Sequence, residues 1–170
     1  MNKYGFLSSV LFFILLFLPA LPIGIYFGSE SNPWLGINYY YQISLALLTH
    51  ESSSVYLWGM STSGSPLIWY QNHLLTFIFL VLIGTAGATI ILIGSFKETE
   101  TGKKLTRTGF IFQLIAFLYV IIGIPIYSNE LIGVQFNYVD IFLFLQFGFY
   151  VFLLSTILSL IARIKHPIND

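Results

Sequence analysis

Chemistry inside a bilayer needs polar or ionisable side chains, and the long apolar stretches of this chain hold few of them. Gln113 and Gln146 are the strongly polar residues that fall within those stretches. Each has the hydrogen-bonding groups to meet a quinone or another polar substrate. The simpler use is a bond to a neighbouring helix, worth roughly 0.6–2 kcal/mol in a membrane, and that is the use expected here. The three histidines are His50, His73 and His166. With Glu30, Glu51, Glu130 and Asp140, the first two are of metal-ligand type, but no HxH, HxxE or HxxxH spacing supports a site. They are expected as solvated loop residues, and His166 as a lipid-headgroup contact in a basic tail. Haem ligation needs a histidine in a span, and His73 at the edge of one is the only approximation. The stretch STSGS, residues 61–65, lacks the GxSxG pattern and reads as a turn. TGKK, residues 101–104, lacks the first glycine of a phosphate loop and a preceding strand, so it reads as a basic turn touching anionic lipid. No catalytic residue, metal ligand or cofactor is expected.

The elements that carry these residues are membrane spans. Of 170 residues 56% are hydrophobic and only 8% charged, with mean hydropathy +0.83. A soluble domain carries about 25% charged residues, so this chain belongs in lipid. Its length suits one membrane domain. Seven basic and seven acidic residues cancel, which leaves nucleic-acid binding without an electrostatic basis. The absence of cysteine excludes disulfides, thiolate metal sites and thiol redox chemistry.

Four apolar runs are long enough to cross a hydrocarbon core: about 5–28, 74–96, 108–127 and 141–164. The first resembles a signal peptide, but its apolar run is too long and no small-x-small cleavage site follows, so a retained helix is expected. All seven basic residues fall on one side: Lys3, Lys97, Lys103, Lys104, Arg107, Arg163 and Lys165. The loops on the other side, 29–73 and 128–140, contain none and carry Glu30, Glu51, Glu130 and Asp140. Against three acidic residues, the basic side stands at +4. The positive-inside rule then predicts a multi-pass cell-membrane protein with both termini and the loop 97–107 in the cytoplasm.

Loop 29–73 is too long for a bare connector and holds Trp34, Trp58 and Trp69. Its stretch INYYYQISLALL, residues 37–48, alternates with a period of two and reads as a strand. Residues 55–60 and 67–70 read as two more, and VQFNYV, residues 134–139, alternates in the second outer loop. The expected fold class is therefore an all-α membrane four-helix bundle with a small extracytoplasmic antiparallel β-sheet formed by the two outer loops. Trp34, Tyr39, Tyr41, Leu57, Trp58, Trp69, Phe136 and Tyr138 are its candidate interface residues, since aromatics anchor such contacts. Gly24 with Gly28, Gly84 with Ala88, and Ser155 with Ser159 are small pairs four apart that let helices approach closely.

Four spans, cytoplasmic termini, a long first outer loop with strands and a short second one together resemble the claudin superfamily, which includes peripheral myelin protein. Trp34 stands where that family has an early loop tryptophan, and Tyr56, Leu57 and Trp58 where it has Gly-Leu-Trp. The family's two loop cysteines are missing; residues 60–65 occupy the region of the first. Asn72 and His73 stand where the family has an arginine before the second span, and the tail 164–170 lacks its scaffold-binding end. The resemblance implies a non-catalytic protein that assembles laterally or adheres between cells through its outer sheet. The alternative is an accessory subunit of a multi-subunit respiratory or oxygenase-type membrane enzyme. Membrane lipid, further copies of the chain or other integral membrane subunits are the expected partners.

Overall fold

Asn2 opens the first helix: its side-chain oxygen accepts the Gly5 N–H at 3.3 Å, satisfying one of the donors a helix start leaves bare. The computed structural model describes residues 1–17, 47–50, 53–62, 68–69, 73–132, 135 and 145–168. Helix α1 runs Lys3–Phe17 and buries Gly5, Ser8, Ser9, Phe12 and Leu15, spaced to make one stripe along the helix. The rest of the expected first span, 18–28, lies outside the described residues.

Helix α2 runs Leu74–Ser95. It is π-helical over Phe77–Ile83 and α-helical from Gly84. A turn of four residues leads to α3, Glu100–Ile132, whose first turn is capped by Thr99: Oγ1 accepts the Gly102 N–H at 3.3 Å. Glu100 there suits the positive end of the helix dipole. The expected cytoplasmic loop 97–107 is thus mostly helix, and residues 101–104 lie in the opening of α3, not in a turn. At its other end α3 passes through Pro125 and absorbs 128–132 of the expected second outer loop. The Ser128 hydroxyl donates to the Pro125 carbonyl at 2.8 Å, the sort of side-chain bond that lets a membrane helix carry proline. Helix α4 runs Phe147–Ile164.

α2, α3 and α4 are long and apolar enough to cross a membrane; α1, of 15 residues, is a shorter apolar helix. This is the architecture of a multi-pass membrane protein. The helices run up-down-up-down, with α1 against α2 and α4, and α3 against the same two. Phe152 stacks edge-on between Phe12 and Phe117, at 5.6 and 5.4 Å, in the middle of the core. Leu82, Ile93, Ile115, Leu118, Leu154 and Ile157 point outward, which suits lipid.

The described part of the first outer loop contains four β segments of two to four residues: β1 Leu48–His50, β2 Ser53–Val55, β3 Gly59–Thr62 and β4 Ile68–Trp69. They pair locally and in sequence order. This corrects the expected fold class. The bulk of the described chain is helical, and a sheet formed by the two outer loops is not seen. Of the expected strand 37–48 only Leu47 and Leu48 are described: Leu48 pairs with Val55 and the Leu47 N–H donates to the Val55 carbonyl at 2.6 Å, while residues 37–46 lie outside the described residues. The expected strand 134–139 lies, apart from Gln135, outside the described residues, and the opening of that loop, 128–132, continues α3. Nor does the hairpin form a lid. The link between β2 and β3, Tyr56–Trp58, is buried, and Leu57 joins the helix core with Leu47 and Val55. Burying these apolar side chains is worth more than leaving them on an outer face.

Candidate functional site

Two polar constellations are built into the bundle. The first lies at mid-height. Ser8 of α1 and Ser155 of α4 exchange bonds, each hydroxyl donating to the other's backbone carbonyl at 2.8 Å. Gln113 of α3 is fully buried beside them, its Nε2 donating to Ser155 Oγ at 2.5 Å and its Oε1 3.3 Å from Ser8 Oγ. Ser9 Oγ donates to the Ala88 carbonyl of α2 at 2.8 Å. Four helices are therefore joined by uncharged groups, which the low dielectric strengthens. Gln146 differs from its expected mid-span place. It precedes α4 in extended conformation, and its N–H donates to the Leu47 carbonyl at 3.0 Å.

The second constellation lies at the end where α2 begins and α3 finishes. His73 Nδ1 accepts the Thr76 N–H at 3.3 Å, capping α2 through a side chain. The same nitrogen lies 2.7 Å from Thr76 Oγ1, and Thr76 Oγ1 lies 2.6 Å from the Tyr119 hydroxyl of α3. His73 Nε2 faces Glu130 Oε2 at 3.2 Å, and the ring leans on Tyr127 at 4.5 Å. Tyr119 stacks on Phe79 of the π-helical stretch, 4.8 Å away and near-parallel. Since Nδ1 accepts a backbone donor, the neutral ring carries its proton on Nε2, facing the carboxylate. The order carboxylate, imidazole, hydroxyl is that of a nucleophile with its base. Here, however, the hydroxyl is completely buried and already shared with a phenol. As it stands the chain of bonds latches α2 to α3. The expected reading of His73 as a solvated loop residue is corrected, because helix capping and ring packing bury most of its side chain.

Comparison of the chain with protein-family models, with curated proteins and with solved structures finds no match.

The Ala88 carbonyl is bonded as above, and a Cβ on Gly84 would come within 2.6 Å of the Phe12 ring. Ser159 is buried, its hydroxyl donating to the Thr156 carbonyl of its own helix at 2.7 Å. Trp58 is 3% exposed, stacks on Tyr56 at 5.1 Å and packs on Leu16. Leu57 is buried as well. Neither side chain is presented as a free interface residue within the single chain. Trp69 lies in β4. Gly24, Gly28, Trp34, Tyr39, Tyr41, Phe136 and Tyr138 lie outside the described residues, and so do Glu30, Glu51 and Asp140.

His166 is buried, with Nε2 3.2 Å from the Gly94 carbonyl and Nδ1 2.9 Å from that of Pro167. It docks the end of α4 on the end of α2, so its expected headgroup role is replaced by a packing one. The closest helix approach involves glycines that the four-residue spacing overlooks. A Cβ on Gly87 would meet the Gly109 carbonyl at 2.9 Å, one on Gly109 the Gly87 carbonyl at 2.7 Å, and one on Gly94 the Gly102 carbonyl at 2.9 Å. Gly87 and Gly94, like Gly102 and Gly109, are seven apart, which is the signal that would have found them.

Proposed function

We propose that this chain is a non-catalytic integral membrane subunit that packs laterally beside other membrane-embedded chains, as an accessory part of a larger complex. One observation carries the reading. The polar side chains at the heart of the bundle, Ser8, Gln113 and Ser155, are bonded to each other across helices, while the outward faces of the spans are apolar. Groups so used serve cohesion, and an apolar exterior offers other membrane helices a surface. The adhesive role implied by the claudin-like resemblance depends on an outer sheet from both loops, and the burial of Leu57 and Trp58 takes support from it.

In this reading the chain crosses the cell membrane four times with both termini cytoplasmic. Its basic residues support that orientation. Asn2 bonds to the Ser95 and Ala162 carbonyls at 2.7 Å, so Lys3, Lys97, Arg163 and Lys165 gather at one end of the bundle. Thr106 and Gly102 pack on Gly94, which brings Lys103, Lys104 and Arg107 to the same end. Gentle extraction of native membranes, native electrophoresis and mass spectrometry of the band test the proposal. Co-migration with other integral membrane chains at fixed stoichiometry is expected. A band containing only copies of this chain would overturn it.

A further inference from the structure

A slot of about 600 Å³ runs along one side of the bundle, between the last turn of α1 and the middle of α2. It is lined by Leu16 and Phe17 of α1, by Val81, Leu82 and Ala86 of α2, and by Trp58 of the buried hairpin link. We propose that this slot binds one hydrocarbon chain of a membrane lipid.

Depth is the first reason. At 1.5 Å per helical residue, the α2 wall from Val81 to Ile90 lies about 10–24 Å from the start of that helix at Leu74. That is within a hydrocarbon core about 30 Å thick, where acyl chains are the surrounding medium. Lining is the second. A water needs two to four polar partners; the hydroxyl of Thr89 is already given to the Thr85 carbonyl at 2.8 Å, which leaves the buried, unpartnered Thr85 hydroxyl as the one threonine group a water could meet. Leaving such a space empty would forfeit the dispersion contacts of every wall residue. The volume is of the size of small-molecule sites, roughly 300–1,000 Å³.

Backbone geometry is the third reason. Val81 and Leu82 belong to the π-helical stretch Phe77–Ile83. Such stretches are rare and gather at functional positions, since their looser turns cost stability. Here the π stretch is pinned by Thr76 and Phe79 to Tyr119 on one side and lines the slot on the other. Exposed Phe17 and Leu82 make the slot open sideways, the direction from which a lipid tail enters.

Trp58 is a built-in reporter. In a Trp34→Phe, Trp69→Phe background it is the sole tryptophan. The protein is reconstituted in phosphatidylcholine vesicles whose acyl chains carry bromine, a short-range quencher. The expected result is strong quenching of Trp58 that is mostly lost in Ala86→Phe and in Thr89→Phe, which fill the slot, and retained in Ile115→Phe on another lipid-facing surface. Equal quenching in all three variants would mean annular contact only and overturn the proposal, as would absence of quenching. If both filling variants fail to fold, a diazirine-tailed phosphatidylcholine is photolysed with the unaltered chain. Adducts concentrated at residues 81–90 support the slot. Adducts spread evenly over the spans, or none, refute it.

Discussion

Gln113 on α3 and Ser155 on α4 are joined at 2.5 Å from amide nitrogen to hydroxyl oxygen, and Ser155 is itself bonded both ways to Ser8 on α1. One amide and two hydroxyls, all fully buried, thus tie three helices. Gln113→Leu is expected to destabilise the bundle by about 1 kcal/mol, since the exchange between Ser8 and Ser155 survives it. Gln113→Leu combined with Ser155→Ala should cost less than the two single changes added. A double-mutant cycle on unfolding in mixed micelles measures this. Simple additivity would show that the amide and the hydroxyl do not act together.

Gly109 and Gly123 lie on the same helix and separate backbone contact from side-chain contact. A methyl at Gly109 runs into the Gly87 carbonyl and the Ile91 backbone nitrogen, whereas one at Gly123 meets the ring of Tyr119, a side chain held by Thr76 and Phe79. Alanine gains about 0.5–1 kcal/mol over glycine inside a helix. Gly123→Ala is therefore expected to lose less than Gly109→Ala, since a side-chain ring can shift where backbone cannot. Gly109→Ala should lose about 1–3 kcal/mol through overpacking. Equal melting temperatures for the two variants would contradict the close packing of α2 and α3.

His73 caps α2 and packs on Tyr127, while its partner Glu130 is 66% exposed at the side chain. Removing a cap costs about 0.5–2 kcal/mol, and an exposed ion pair contributes about 0–1 kcal/mol. His73→Ala should accordingly destabilise more than Glu130→Ala, read by thermal unfolding in detergent. Amide exchange should also rise at residues 74–83 in His73→Ala and stay unchanged in Glu130→Ala. The reverse order would mean that the carboxylate, not the cap, anchors the start of α2.

Trp58→Ala tests whether the hairpin link is part of the core. Truncating a buried tryptophan costs about 3–5 kcal/mol. A lowered melting temperature is expected in the single chain, with Leu57→Ala close behind. Loss of association at unchanged stability would return Trp58 to the role of a surface anchor.

The chain has no cysteine, so single introduced thiols report sidedness cleanly. Thr101 and Asn129 are exposed at opposite ends of α3. A membrane-impermeant maleimide is expected to label Asn129→Cys in intact cells and Thr101→Cys only after permeabilisation. The opposite pattern would invert the orientation.

What the sequence determined by itself is the class of the molecule. Sparse charge and long apolar runs announce the three helices long and apolar enough to cross a membrane, because transfer to lipid depends on composition and length; their ends differ, with α3 starting eight residues before the expected span and α4 six after. The gathering of seven basic residues at one end was legible for the same reason. Period-two alternation was a poorer guide. It describes a residue pattern, but whether residues 55–58 cover a surface or enter a core depends on space left by the helices, and here they enter it, Leu57 in the helix core and Trp58 against Leu16 of α1. The ends of α3 were not legible: charged residues 97–107 read as one loop and 128–140 as another, whereas the Thr99 cap starts the helix within the first and the Ser128 bond to the Pro125 carbonyl accompanies its continuation into the second. Gln113 was visible as an odd polar residue. That it meets Ser155 and Ser8, residues 42 and 105 positions away, is a fact of helix rotation and approach. Those are decided by tertiary packing alone, as where Gly87 and Gly109 let α2 and α3 meet at the backbone.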